Sequence, residues 1–262
     1  MLRRRIEKRL LAGLLGTLLG ASTALAQVAN DRPAADEPQA AEAKLTPSEP
    51  PAPGLKRLDP NAEVWLDPVN KQVVLRGLIV LRRGPLELFA CLRHSKEHEA
   101  IVAVPTKAYV VHAGLLACGA KPGNPARFVP EFVPARGTEV EITVEWRDAA
   151  GKTQRSDARR WMRNVKTNKE LEYPWVFGGS GFWTDPMTGK QYYQAEDGDF
   201  ICVSNFPSAL LDLPVESPQA NAALMFEAFS ERIPPEKTPV VLYLKPKLAA
   251  GPERSEPTDE RR

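Results

Sequence analysis

The chain has 262 residues, a formal net charge of +2, three cysteines and three histidines, and 43% of it is hydrophobic. Residues 1–26 hold five Lys/Arg and one Glu, so without them the balance is −2; that excludes the clustered positive charge of a nucleic-acid binder and gives no support to acidic-lipid binding. No C-x-x-C occurs, which excludes a thioredoxin-type redox pair and a zinc ribbon, and the odd cysteine count leaves one disulfide plus a thiol, or three thiols, equally open.

In chain order, a basic stretch Arg3–Arg9, an apolar run Leu10–Gly20 and the small-residue pattern Ala24-Leu25-Ala26 predict a secretory signal over 1–26, cut after Ala26. The apolar run is too short for a bilayer span, so no stable membrane segment is expected after cleavage and the chain is assigned to the periplasm, the cell envelope or the outside. Arg3–Arg5 matches a twin-arginine signal only loosely, because Glu7 stands where an apolar residue is usual. Residues 27–60 are rich in Pro, Ala and Glu with almost no large apolar side chain, which predicts a disordered spacer, and 247–262 reads as a similar tail. The remainder, 61–246, suffices for one domain.

Within it, Val64–Leu66 and Gln72–Val80 predict two strands around the turn Asp67-Pro-Val-Asn70. Leu86–Leu92 and Ala100–Val104 read as strands, and Ala108–Gly119 as a helix stopped by its glycine. Glu139–Trp146 alternates over eight residues and returns through Arg147–Lys152 as a second strand. Gly181–Trp183 and Gln191–Tyr193 flank a further turn, and Phe200–Val203 is another strand. Ser217 as N-cap with Pro218 at the first position predicts a second helix to Phe229, and Pro239–Leu244 closes the domain. The pattern predicts an α+β fold, one domain dominated by antiparallel sheet with about two helices.

His94-Ser-Lys-Glu97-His98 spells the H-x-x-E-H of one class of zinc peptidase, but that chemistry needs a helix, and strands flank this stretch. A better-placed trio is His98, Glu99 and His112, two imidazoles and a carboxylate able to take zinc or a similar ion. The competing reading makes His112 a satisfied core histidine and has His98 and Glu99 serve a loop backbone. Gly178-Gly-Ser-Gly181 fails as a nucleophile elbow because Phe182 occupies the last glycine position, and Gly189-Lys190 is no phosphate loop. Cys202 reads as a small buried hydrophobe, and Ala195–Asp199 as a solvated acidic turn without calcium-loop spacing.

Gly84–Phe89, Lys96–Glu99, His112–Gly123, Trp175–Trp183 and Ile201–Pro214 together resemble the bacterial YdjY-type domain over about 61–246, and are closest to exported versions preceded by a signal and a Pro-rich spacer. The resemblance implies His98, Glu99, His112, Ser180 and Asp212 as motif residues, and carries no biochemical activity with it. Some relatives are associated with ferredoxin-like iron–sulfur modules; this chain, with three scattered cysteines, is expected to hold no iron–sulfur cluster of its own. The expected function is an exported, non-catalytic domain that binds a ligand, metal or partner protein in the envelope. Two alternatives stand beside it: a metal-dependent hydrolase using His98, Glu99 and His112, with Glu97 or Glu99 as base, and an accessory protein of envelope redox chemistry using a reactive thiol.

Overall fold

A computed structural model describes residues 49–220 and 223–248. The expected signal of 1–26, the expected spacer as far as residue 48 and the expected tail from residue 249 lie outside the described residues.

Eight strands close into a barrel: β1 (Gln72–Ile79), β2 (Leu88–Leu92), β3 (Ala100–Val104), β4 (Glu139–Arg147), β5 (Trp175–Phe177), β6 (Ile201–Cys202), β7 (Leu211–Asp212) and β8 (Pro239–Pro246). Their order around the wall is β1-β8-β4-β5-β7-β6-β2-β3, and β3 returns to β1 through Leu78 beside Ala103 and Ile79 beside Val102. The antiparallel-sheet, α+β expectation is therefore corrected. The fold is mostly β, the sheet is closed, two of its pairings, β2 with β3 and β6 with β7, are parallel, and there is one α-helix among the described residues.

The three longest strands carry this arrangement. β8 pairs along its length with both β1 and β4, and its alternate residues Val240, Leu242 and Leu244 turn inward. Each outer strand then divides its free edge. The first half of β1 accepts Val64–Asp67, and the second half accepts β3. The first end of β4 accepts β5, and the rest accepts Thr153–Asp157. The hairpins expected at Asp67–Asn70 and Arg147–Lys152 form, and the barrel is built from the halves they leave uncovered. Lys56–Arg57, at the end of the expected spacer, extend the first hairpin by pairing with Trp65 and Leu66.

The seam between β1 and β3 requires Gly77. A Cβ there would stand 2.7 Å from one Val102 methyl and 3.2 Å from a Val104 methyl, so any side chain pushes β3 away. Inside the wall Phe89 packs against Trp175 at 5.6 Å and Trp161 at 6.4 Å, and Trp161 meets Trp146 at 5.4 Å. Trp175 carries a polar group into this core, and its indole N–H donates to the Cys202 carbonyl at 2.8 Å.

The helix α1 (Ala108–Ala117) ends as expected. Gly119 takes φ +92°, its N–H donates to Leu116 O, and the Ala120 N–H donates to Leu115 O, the paired bonds of a glycine-terminated helix. The second expected helix does not form among the described residues of 217–229. Ser217 spends its hydroxyl on Val203 O and its N–H on Asn205 Oδ1 rather than capping a helix. Beyond it Leu224, Phe226 and Ala228 are buried with less buried residues between them, a period of two, and Phe226–Ala228 pair with Met162–Asn164. That apolar set fits either period, and contact with the Trp161 region selects the strand.

Gly77→Val is expected to cost about 1–3 kcal/mol of stability through overpacking at the seam, read as a lower urea midpoint with an unchanged slope. An equal midpoint would show that the β1–β3 pairing does not depend on this glycine.

Candidate functional site

The two parallel pairings set up the site. Each makes the chain double back beside itself through a short link, Arg93–Glu99 between β2 and β3 and Val203–Leu210 between β6 and β7, where parallel strands ordinarily use a long crossover. Such links hold their shape only if side chains satisfy their backbone. Ser95 Oγ donates to Leu92 O, and the His94 N–H donates to Glu97 Oε1 at 2.8 Å, with His94 at φ +65°. The H-x-x-E-H stretch is thus a turn, and Glu97 is occupied in shaping it.

Gly198 lets the first link touch the second region. Its φ is +112°, and a Cβ on it would stand 2.6 Å from Ser95 Oγ. The contact carries Lys96 onto Asp199, whose carboxylate is buried and accepts from Lys96 Nζ at 2.6 Å and from the Ser208 hydroxyl. Burial alone would lower the Lys96 pKa; the hydrogen bond and charge of Asp199 outweigh it and leave it raised. On the other side of Lys96, Glu87 is hydrogen-bonded with Glu99. Burial first, then that neighbour, push the Glu87 carboxyl up to about 7, with Lys96 opposing. His98 Nε2 lies 3.3 Å from Glu99 Oε1, and its side chain is 75% exposed.

The same line continues past Ser208. Ser180, at φ +56°, donates its hydroxyl to Ser208 O at 2.6 Å and its N–H to Ala209 O. Next to it the Gly179 carbonyl accepts the Tyr193 hydroxyl at 2.9 Å, and that hydroxyl lies 2.8 Å from His112 Nδ1. His112 is half-buried on α1, edge-on to Phe177 at 4.8 Å, and burial lowers its pKa, so the ring is neutral at pH 7. Four of the five motif residues, His98, Glu99, Ser180 and His112, therefore lie on one polar seam. The fifth, Asp212, sits beneath it, its carboxylate accepting from Asn205 Nδ2 and the Leu213 N–H; burial pushes it up to about 7.

A seam is not a coordination sphere. His98 meets Glu99 at one end and His112 meets Tyr193 at the other, and among the described residues no group of three His, Cys, Asp or Glu is placed to hold a metal ion. The donor set does not fit zinc. The three thiols are free and buried; burial pushes Cys91 and Cys118 up to about 11 and Cys202 well above its ordinary value, so none is an ionised nucleophile at neutral pH. Asp199, expected in a solvated turn, is instead buried in its pair with Lys96.

A model of the YdjY domain matches residues 64–245. This chain belongs to the YdjY-domain family. No curated protein and no solved structure matches it. The matched span of the YdjY domain runs from the first long hairpin into β8, so the seam and all of the barrel but Pro246 lie within it. No helix of the described YdjY domain is long and apolar enough to cross a membrane. A groove of about 670 Å³, lined by Arg159, Arg160, Glu170, Phe229 and Arg232, holds none of the motif residues, and its guanidinium groups are engaged by Asp157 and Glu170.

Sequence reasoning missed Glu87, Lys96, Tyr193, Asp199 and Ser208. It also missed the surface beside His112. There the hairpin Phe182–Thr184 with Gln191–Tyr193 forms a two-stranded sheet separate from the barrel and exposes Phe182, Trp183, Tyr192 and, at its turn, Met187. Phe182 lies against Tyr193 at 5.3 Å, which joins this aromatic surface to the His112 end of the seam.

The Glu87 carboxyl has its folded pKa raised from an ordinary 4.5 to about 7, so it is neutral in both states at low pH, and its ionisation destabilises the fold as pH rises through that window. Between pH 5 and 8 the melting temperature of Glu87→Gln should therefore fall less than that of the parent, and parallel profiles would refute the assignment. His112→Ala should cost about 1–3 kcal/mol in urea unfolding from the lost hydroxyl contact and ring packing, whereas His98→Ala should stay within about 0.5 kcal/mol.

Proposed function

We propose that this YdjY-domain protein is an exported, non-catalytic binding domain of the cell envelope, and that its binding surface is the aromatic hairpin beside His112. The observation that carries the reading is the exposure of Phe182 at 67%, Trp183 at 50% and Met187 at 93% on a ribbon the barrel does not need. Aromatic and methionine side chains grouped in water mark interaction sites, where their area is removed from solvent on binding. The seam supports the same reading: its groups are hydrogen-bonded to one another, so it serves as the rigid base that holds Tyr193 and the hairpin in place. Export rests on the basic, apolar and small-residue pattern of 1–26.

Two measurements test the halves of the proposal separately. Fractionation with N-terminal sequencing should find the protein outside the cytoplasm and beginning at Gln27; retention inside with an uncut N-terminus would end the export half. A photo-crosslinking residue placed at Trp183 in cells should form an adduct, while one at the exposed Val69 should not. Positions 182, 183 and 192 all silent would end the binding half.

A further inference from the structure

We infer that the hairpin side docks on a lipid surface, with the ribbon and the outer face of α1 entering the headgroup region together; this rests on the reading that the hairpin is a binding surface.

The helix supplies the first argument. Tyr109, His112, Ala113, Leu116 and Ala117 fall at successive three- and four-residue steps and form its outer face, with Tyr109 53% and Leu116 46% exposed. No residue of α1 carries a formal charge at pH 7, since His112 is held neutral by burial. A helix on a water-facing surface ordinarily turns a polar face outward, and this one turns an apolar face outward.

The ribbon supplies the second. Residues alternate between its faces, so Phe182 pairs with Tyr193 on one face and Trp183 with Tyr192 on the other, at ring separations of 5.3 and 5.8 Å. Tyr193 is buried with its hydroxyl on Gly179 O and beside His112, so its face of the ribbon lies on the domain. Phe182 at the edge, Trp183 and Tyr192 on the free face and Met187 at the turn stay exposed, a projecting apolar edge suited to a headgroup region. The Tyr193–His112 contact makes the ribbon and the helix face continuous.

The rim argues for lipid over protein. Lys107 and Lys121 bracket α1, and Lys190 lies over the Tyr192 ring at 4.9 Å. Lysine is depleted in protein interfaces, but with Trp and Tyr it is characteristic of the membrane boundary, where its stem lies along apolar surface and its ammonium stays in water. On the acidic side, Asp185 accepts from Met187 N–H and the Thr188 hydroxyl within its own turn, Glu196 accepts the Tyr109 N–H, and Asp197 is exposed. These charges balance, so apolar contact rather than anionic attraction drives the docking, and the depth is interfacial.

The test is vesicle flotation of the full chain against its Phe182→Thr/Trp183→Thr and Leu116→Gln variants, with phosphatidylcholine vesicles and with vesicles that also contain phosphatidylglycerol. All the proteins share one N-terminal segment, so differences between them report the hairpin side. The parent should float with both vesicle types, with little dependence on salt. The double variant should bind about tenfold more weakly or worse, with an unchanged melting temperature. Vesicles should also shift Trp183 emission to the blue, a shift absent in Trp183→Phe. Equal binding by parent and variants, no binding by the parent, or binding to anionic vesicles alone that salt abolishes would each overturn the inference. A protein adduct from position 183 in cells without vesicle binding would end the lipid assignment and leave the binding surface standing, and silence in both would end both.

Discussion

Closure of the sheet between β1 and β3 is the constraint on which everything else in the domain rests. It is a contact of two residue pairs, Leu78 with Ala103 and Ile79 with Val102, possible because Gly77 leaves room for the Val102 and Val104 methyls. An open sheet would leave an edge to protect, and closure removes it. It also decides where the chain must turn. Once β2 and β3 lie side by side and parallel, Arg93–Glu99 has to run back along the wall, and it arrives beside Gly198 and Asp199.

The polar seam follows from that geometry. Two short links between parallel strands carry more backbone groups than the sheet can satisfy, and the side chains of Ser95, Glu97, Ser180 and Ser217 satisfy them. Glu87 and Asp212 are held at raised pKa values by the same burial. Such shifts mark functional sites in many proteins and structural networks in others. Here the network's members point at one another and along the wall, and the surface left open to solvent is aromatic.

The two features divide the work between them. His112 belongs to both, since its Nδ1 ends the seam at Tyr193 and its helix presents the apolar outer face. On the proposed reading, a rigid polar interior beneath the exposed aromatic ribbon holds the binding side chains so that they lose little freedom on contact.

Local features of this protein were legible in its sequence because they depend on neighbours along the chain. The hairpins at Asp67–Asn70, Arg147–Lys152 and Thr184–Lys190 follow from turn residues, the end of α1 from Gly119, and family membership from motifs that keep their spacing. The family resemblance also named His98, Glu99, His112, Ser180 and Asp212; the fold joins His98 to Glu99 and His112 to Tyr193. What the tertiary structure alone decided depends on residues far apart in sequence. Lys96 meets Asp199, His112 meets Tyr193, and β3 closes on β1 through pairings that no local pattern encodes. Leu224–Ala228 shows the same limit in a single segment. Its apolar residues suit a helix or a strand equally, and the partner strand at Met162–Asn164, sixty residues away, makes the choice.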